Sequence, residues 1–171
     1  MGAWLRSLAD RIATGTGNEL ATEALRGVPG LPPVLQTVHL LGAAVLMGSA
    51  VLFLLRVNGL AMRSWPVSPL GRRLLPWMTG ALAVMPLAML PFLLARPHRY
   101  LLNPVFGIKM GLLLAAVVMT VAVFAGIRTL ASEARPPLPV RLLAIPAVLT
   151  WLLTVIAGRW IAYSDYLFWP A

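Results

Sequence analysis

The chain has no cysteine in its 171 residues. This excludes disulfides, thiolate-held iron–sulfur clusters and covalent c-type haem attachment. Histidine, methionine and carboxylates remain as possible metal ligands, and histidine is scarce, with His39 and His98 the two present. Acids are few as well: Asp and Glu total 5 against 14 Lys and Arg. That supply is too small for hydrolytic zinc chemistry. The chain also lacks a serine–histidine–acid set and a phosphate-cradling glycine loop. Charge of either sign is low, at 11% of residues. Soluble domains carry roughly a quarter, so this chain cannot cover a globule with polar surface.

Apolar residues make up 60% of the chain, with mean hydropathy +0.85, and they come in long blocks. Residues 34–55, 74–95, 105–127 and 142–163 form four such stretches. Each has about 22 residues, and at 1.5 Å per residue that gives roughly 33 Å, enough to cross the hydrocarbon core. Short connections make consecutive helices antiparallel. The expected fold is therefore an all-α membrane protein, a four-transmembrane-helix antiparallel bundle spanning residues 33–171.

Residues 1–32 are the polar part. Trp4, Leu5, Leu8 and Ile12 recur at helical spacing, with Arg6, Asp10 and Arg11 on other faces, which predicts a short amphipathic helix at the interface. No sufficient apolar run precedes a small-residue cleavage site, so a signal peptide is not expected. Gly27, Pro29, Gly30, Pro32 and Pro33 are expected to break the chain before the first span. Pro76, Pro86, Pro91 and Pro146 fall inside spans, where they kink helices. Small residues spaced by four (Ala44 and Gly48, Gly111 and Ala115, Ala122 and Gly126) predict close helix contacts.

Net charge is +9 and pI about 11.7. In a soluble protein this would suggest nucleic acid. Here the arginines flank apolar spans, with no basic helix or aromatic-interleaved patch, so no nucleic-acid partner is expected. Arg56, Arg63, Arg72 and Arg73 lie between spans one and two; Arg128, Arg135 and Arg141 surround Glu133 between spans three and four. The positive-inside rule then places both loops in the cytoplasm of a bacterial inner membrane, with both termini outside. Trp160, Tyr163 and Trp169 on one side, and Trp65 and Trp77 on the other, read as interfacial belts.

This topology brings the start of spans one and three to the same face as the end of spans two and four. His39, His98, Lys109 and Arg159 all fall near that face, with Asp165 the nearby acid. An ionised residue at bilayer depth costs a few kcal/mol on insertion scales and marks a functional site by default. Excess cations beside two imidazoles call for an anionic, imidazole-binding guest, and b-type haem fits that description. His39 would be the axial ligand, with Gly42 and Ala43 leaving room for a macrocycle. His98 would be the second, or else Met89, Met85, Met47 or no sixth ligand. Lys109, Arg159 and Arg99 would hold the propionates, with Tyr163 hydrogen-bonding nearby. The plainer alternatives are an interhelical hydrogen bond for His39, a solvated loop for His98, and snorkelling to lipid phosphate for the cations.

The segments Val38-His39-Leu40-Leu41-Gly42, Asn103-Pro104-Val105-Phe106-Gly107-Ile108-Lys109-Met110 and Ala157-Gly158-Arg159-Trp160-Ile161-Ala162-Tyr163 carry a resemblance. Over about residues 30–165 the chain resembles an uncharacterised family of small four-span bacterial membrane proteins, a domain of unknown function. The resemblance implies that His39, Lys109, Arg159 and Tyr163 are characteristic positions, and it implies no activity. In layout the chain is also similar to cytochrome b-type and copper-resistance D membrane proteins.

The expected function is electron transfer by a haem b protein or membrane redox subunit with a quinone or redox-protein partner, more a carrier than a stand-alone enzyme. One alternative is a non-catalytic scaffold or assembly subunit, in a membrane complex or homo-oligomer, whose cations bind lipid or a partner's acids. Another is copper or small-solute transport through His39 and methionines.

Overall fold

The computed structural model describes residues 2–128, 130 and 135–163. The elements are α1 (Gly2–Ala13), α2 (Thr16–Gly27), α3 (Leu31–Val57), α4 (Val67–Ala95), α5 (Pro97–Leu101), α6 (Pro104–Ile127) and α7 (Leu138–Trp160). A 3₁₀ turn, Ile161–Tyr163, follows. Among the described residues there is no strand. Helices α3, α4, α6 and α7 are each long and apolar enough to cross a membrane. The protein is a multi-pass, all-α membrane protein in contact with the bilayer.

Prolines start these helices more often than they break them. Pro32 and Pro33 occupy the first turn of α3 instead of preceding it, because the first N–H groups of a helix have no intrahelical partner to lose. The same logic moves the start of α4 to Val67, seven residues before the expected 74, with Pro66 at the N-cap. Arg72 and Arg73 therefore stand on a helix and not in a loop. Helix α7 begins early at Leu138 for the same reason and ends at Trp160, where the chain tightens into the 3₁₀ turn. Asn103 caps α6 by accepting from the Val105 N–H at 2.9 Å.

Helices α3 and α4 pack as one hairpin and α6 and α7 as another; α3 against α7 joins them, while α4 and α6 barely touch. Burial is uneven along the bundle. At the end carrying the connections 58–66 and 128–137, Phe53, Leu54, Val57, Val123 and Ile127 are fully buried. Phe53 and Phe124 stack there with centroids 4.1 Å apart and planes at 17°. Gly71 makes room for them: a Cβ on it would lie 2.9 Å from ring carbons of both. Deeper in the bundle, Trp151 donates from Nε1 to Thr120 Oγ1 at 3.0 Å, satisfying an indole N–H that hydrocarbon would leave bare. Towards the His39 end burial thins. No buried residue of α3 precedes Leu46, none of α7 follows Thr154, and α6 has none between Val105 and Ala116.

Two of the three small-residue pairs do not make the expected contacts. A Cβ on Gly48 or Gly111 would meet nothing within 4 Å, whereas one on Gly126 would lie 2.6 Å from Val140 of α7. The close approaches are at Gly42, Gly71, Gly126 and Gly158. An apolar helix offers several small-residue faces, and spacing alone does not say which one turns inward.

The N-terminal segment holds two helices where one was expected. Leu20, Ala21, Ala24 and Leu25 give α2 its own narrow apolar stripe, too weak to stand out in a polar stretch. Helix α2 lies along α4 and α1 along α5. The Asn18 side-chain amide donates to Leu94 O at 2.6 Å, supplying a partner for one of the last carbonyls of α4. Both helices thus sit at the His39 end. Residues 97–101, expected as loop, form α5.

Candidate functional site

His39 lies in the third turn of α3, and its Nδ1 is 3.2 Å from Met85 O of α4. A carbonyl only accepts, so Nδ1 carries the hydrogen and donates it. In the neutral ring Nε2 is then left with its lone pair. Lys109 of α6 lies within electrostatic reach of His39. Its side chain runs across Gly158 of α7: a Cβ there would be 3.3 Å from Cε, 3.4 Å from Nζ and 3.7 Å from Cδ. Each of the four spanning helices therefore contributes one residue to this centre. The bare backbone of Gly158 gives the lysine stem a groove.

The centre has an excess of positive charge. Among the described residues no carboxylate stands within ion-pair distance of Lys109. Asp10, Glu19 and Glu23 are on α1 and α2, and Asp10 is already engaged, its Oδ1 2.8 Å from His98 Nε2. Asp165, the counter-charge expected from the sequence, lies outside the described residues, as does Trp169. A partly buried ammonium without a partner charge is costly in a membrane, and an anion placed there would relieve the cost.

The other expected members are arranged differently. His98 is half-exposed on α5 and engages α1 through Asp10, so its Nε2 is not presented to α3. Arg99, beside it, is exposed. At the end of α7, Arg159 donates from Nη2 to Tyr163 Oη at 3.0 Å and stacks on that ring at 5.3 Å. Both side chains are exposed. Arg159 and Tyr163 form a unit with each other, as residues four apart on a helix can.

Of the features expected for a haem site, the structure shows one, the hydrogen bond of His39. The Nδ1–H donation to a backbone carbonyl is the usual orientation of a metal-binding histidine. The pairing of His39 with His98 is not made, however, and the room expected beside Gly42 is taken. A Cβ on Gly42 would lie 2.7 Å from Met85 Cγ, so the methionine fills the notch. Among the described residues no group of three or more His, Asp or Glu side chains could hold a metal ion.

Two members of the centre were missed in the sequence, the Met85 carbonyl and Gly158. Backbone carbonyls leave no signal in a sequence. Gly158 did leave one: it directly precedes Arg159, at the depth in α7 that Lys109 has in α6.

A family model described as "Family of unknown function (DUF6644)" matches residues 30–164, and the chain belongs to that family. The matched region begins just before α3 and contains all four spanning helices. No curated protein and no solved structure matches the chain, and similarity to cytochrome b-type or copper-resistance D proteins is not shown.

Proposed function

We propose that this member of a family of unknown function is a non-catalytic membrane subunit. It receives an acidic side chain of a partner's transmembrane helix at the Lys109–His39 centre. The observation that supports this reading is Lys109 laid across Gly158 with no described carboxylate opposite it. Lys109 is the sixth residue of α6, roughly 8 Å below the helix start, and at that depth a fixed carboxylate from another helix is the natural complement. Helices α4 and α6 barely touch, and in this reading the partner helix approaches between them. His39, within electrostatic reach of Lys109, adds a second polar group to the same centre. In this reading the protein sits in a bacterial inner membrane with residues 58–66 and 128–137 in the cytoplasm and both termini outside.

Purification from native membranes in mild detergent tests the proposal. The wild-type chain is expected to run as part of a larger assembly on a native gel. Lys109→Gln should release it and Lys109→Arg should keep it. An assembly unchanged by Lys109→Gln would overturn the reading. A phospholipid adduct lost in that variant, with no partner chain, would transfer the site to lipid.

The orientation of His39 favours a second reading, a b-type haem held by His39 as single protein ligand with Lys109 near a propionate. Met85 would have to leave its notch to admit the ring. Bound haem would supply one-electron chemistry. Its sign would be a Soret band lost in His39→Ala; copper without such a band would favour transport instead.

A further inference from the structure

The opposite end of the bundle carries a second charged centre. The connection between α3 and α4 is a folded unit: Leu60 N–H donates to Leu55 O, Gly59 N–H to Arg56 O and Trp65 N–H to Met62 O, each at 2.9 Å. Two of its residues have positive φ, Gly59 at 73° and Met62 at 43°. Methionine seldom adopts that conformation, which costs of order 1 kcal/mol and persists where surrounding structure imposes it. Strain held at a defined loop is a reason to look for function there.

The arginines in and beside the loop are held by contacts of their own. Arg56 donates from Nε to Trp65 O at 2.6 Å, and Arg63 from Nε to Gly59 O at 2.6 Å. Arg72 donates from Nη1 to Ser68 Oγ at 3.0 Å, and the Arg73 guanidinium lies 5.2 Å from the centre of the Trp65 ring. A guanidinium has five N–H donors. The Nε bonds of Arg56 and Arg63 orient each group while leaving its terminal nitrogens available. The described acids are all on α1 and α2, at the other end.

We propose that this loop is a preorganised site for the phosphate of an anionic phospholipid, contacted by Arg56, which is bonded to the Trp65 carbonyl, and by Arg73, which lies over the Trp65 ring. Trp65 is 38% exposed, the half-buried setting that tryptophan takes at the headgroup level. Arginine binds phosphate through two parallel N–H bonds. Because Arg56 and Arg73 already engage Trp65, less ordering entropy is lost on binding. Arg128, Arg135 and Arg141 outnumber the one acid of the other connection at this end, Glu133, and that net positive charge favours lipids of net negative charge over zwitterionic ones.

The test uses the full chain in detergent, with cardiolipin, phosphatidylglycerol, phosphatidylcholine or inorganic phosphate added separately. Thermal unfolding and native mass spectrometry are the readouts. The two anionic lipids are expected to raise the melting temperature and give adducts that survive activation. Phosphatidylcholine and inorganic phosphate should do neither. The Arg56→Gln/Arg73→Gln double variant should lose about tenfold in adduct abundance, equivalent to about 1.4 kcal/mol. Arg26→Gln, at the other end, should keep wild-type binding. Equal stabilisation by phosphatidylcholine or by inorganic phosphate would overturn the proposal, whether or not the variants fold. Wild-type adducts in a folded double variant would overturn it as well.

Discussion

Lys109 lies across the backbone of Gly158, with Cε 3.3 Å and Nζ 3.4 Å from where a Cβ on that residue would stand. The two residues come from the two helices of one hairpin, and the glycine decides where the ammonium is held.

Gly158→Val should therefore act like Lys109→Gln although it removes no charge. The branched side chain would occupy the groove and push the lysine towards the interface. The expected result is loss of the Lys109-dependent assembly on a native gel, with the four-helix fold retained by circular dichroism. Gly158→Ala should be milder, because the nearest atoms belong to a flexible stem that can shift by a few tenths of an ångström.

Gly71 presents the opposite case, because its neighbours are rigid. Gly71→Ala puts a methyl 2.9 Å from both Phe53 and Phe124, and overpacking of this kind costs about 1–3 kcal/mol. Gly48→Ala, where nothing lies within 4 Å, should be neutral or gain up to about 1 kcal/mol from alanine's higher helix propensity. Unfolding in mixed micelles measures the difference; equal effects would show that the Phe53–Phe124 stack does not depend on Gly71.

Trp151→Phe removes the hydrogen bond to Thr120 from a well-buried site. Interhelical hydrogen bonds in membranes are worth about 0.6 kcal/mol on average and up to about 1.7. The loss should lie in that range plus a small term for the smaller ring. Thr120→Val strands the indole N–H and should cost at least as much, and a double-mutant cycle isolates the pair.

Asp10→Asn should loosen α1 from α5 while leaving the spanning bundle intact. Its pair with His98 is exposed, with side-chain accessibilities of 50% for His98 and 68% for Asp10, and such pairs contribute little to global stability. Faster amide exchange in residues 2–13 with an unchanged melting temperature is expected. A lowered melting temperature would mean that α1 helps hold the bundle.

His39→Asn should keep a side-chain N–H in the place of Nδ1, able to donate to Met85 O, and so spare the α3–α4 contact, whereas His39→Ala should weaken it. If the two variants are equally stable, the His39–Met85 bond contributes nothing measurable to packing.

Much of this protein was determined by its sequence. Long apolar blocks with few charges have one low-energy home, a bilayer crossed by helices that satisfy their own backbone groups. Short connections then fix which helix ends meet, so the shared end of His39, Lys109 and Arg159 followed from counting residues. Boundaries were less legible, because prolines read as breaks also fit the first turn of a helix, as Pro32 and Pro33 show. The tertiary structure decided which partners these residues take. His98 turned to Asp10 because α1, distant in sequence, folds back on α5. Arg159 turned to Tyr163, one helical turn along. Lys109 found Gly158, and Met85 filled the space beside Gly42. Each of these choices depends on helix rotation and on contacts between segments far apart in the chain. Hydropathy leaves rotation undetermined, because in a uniformly apolar helix every face looks alike until a neighbour packs against one of them.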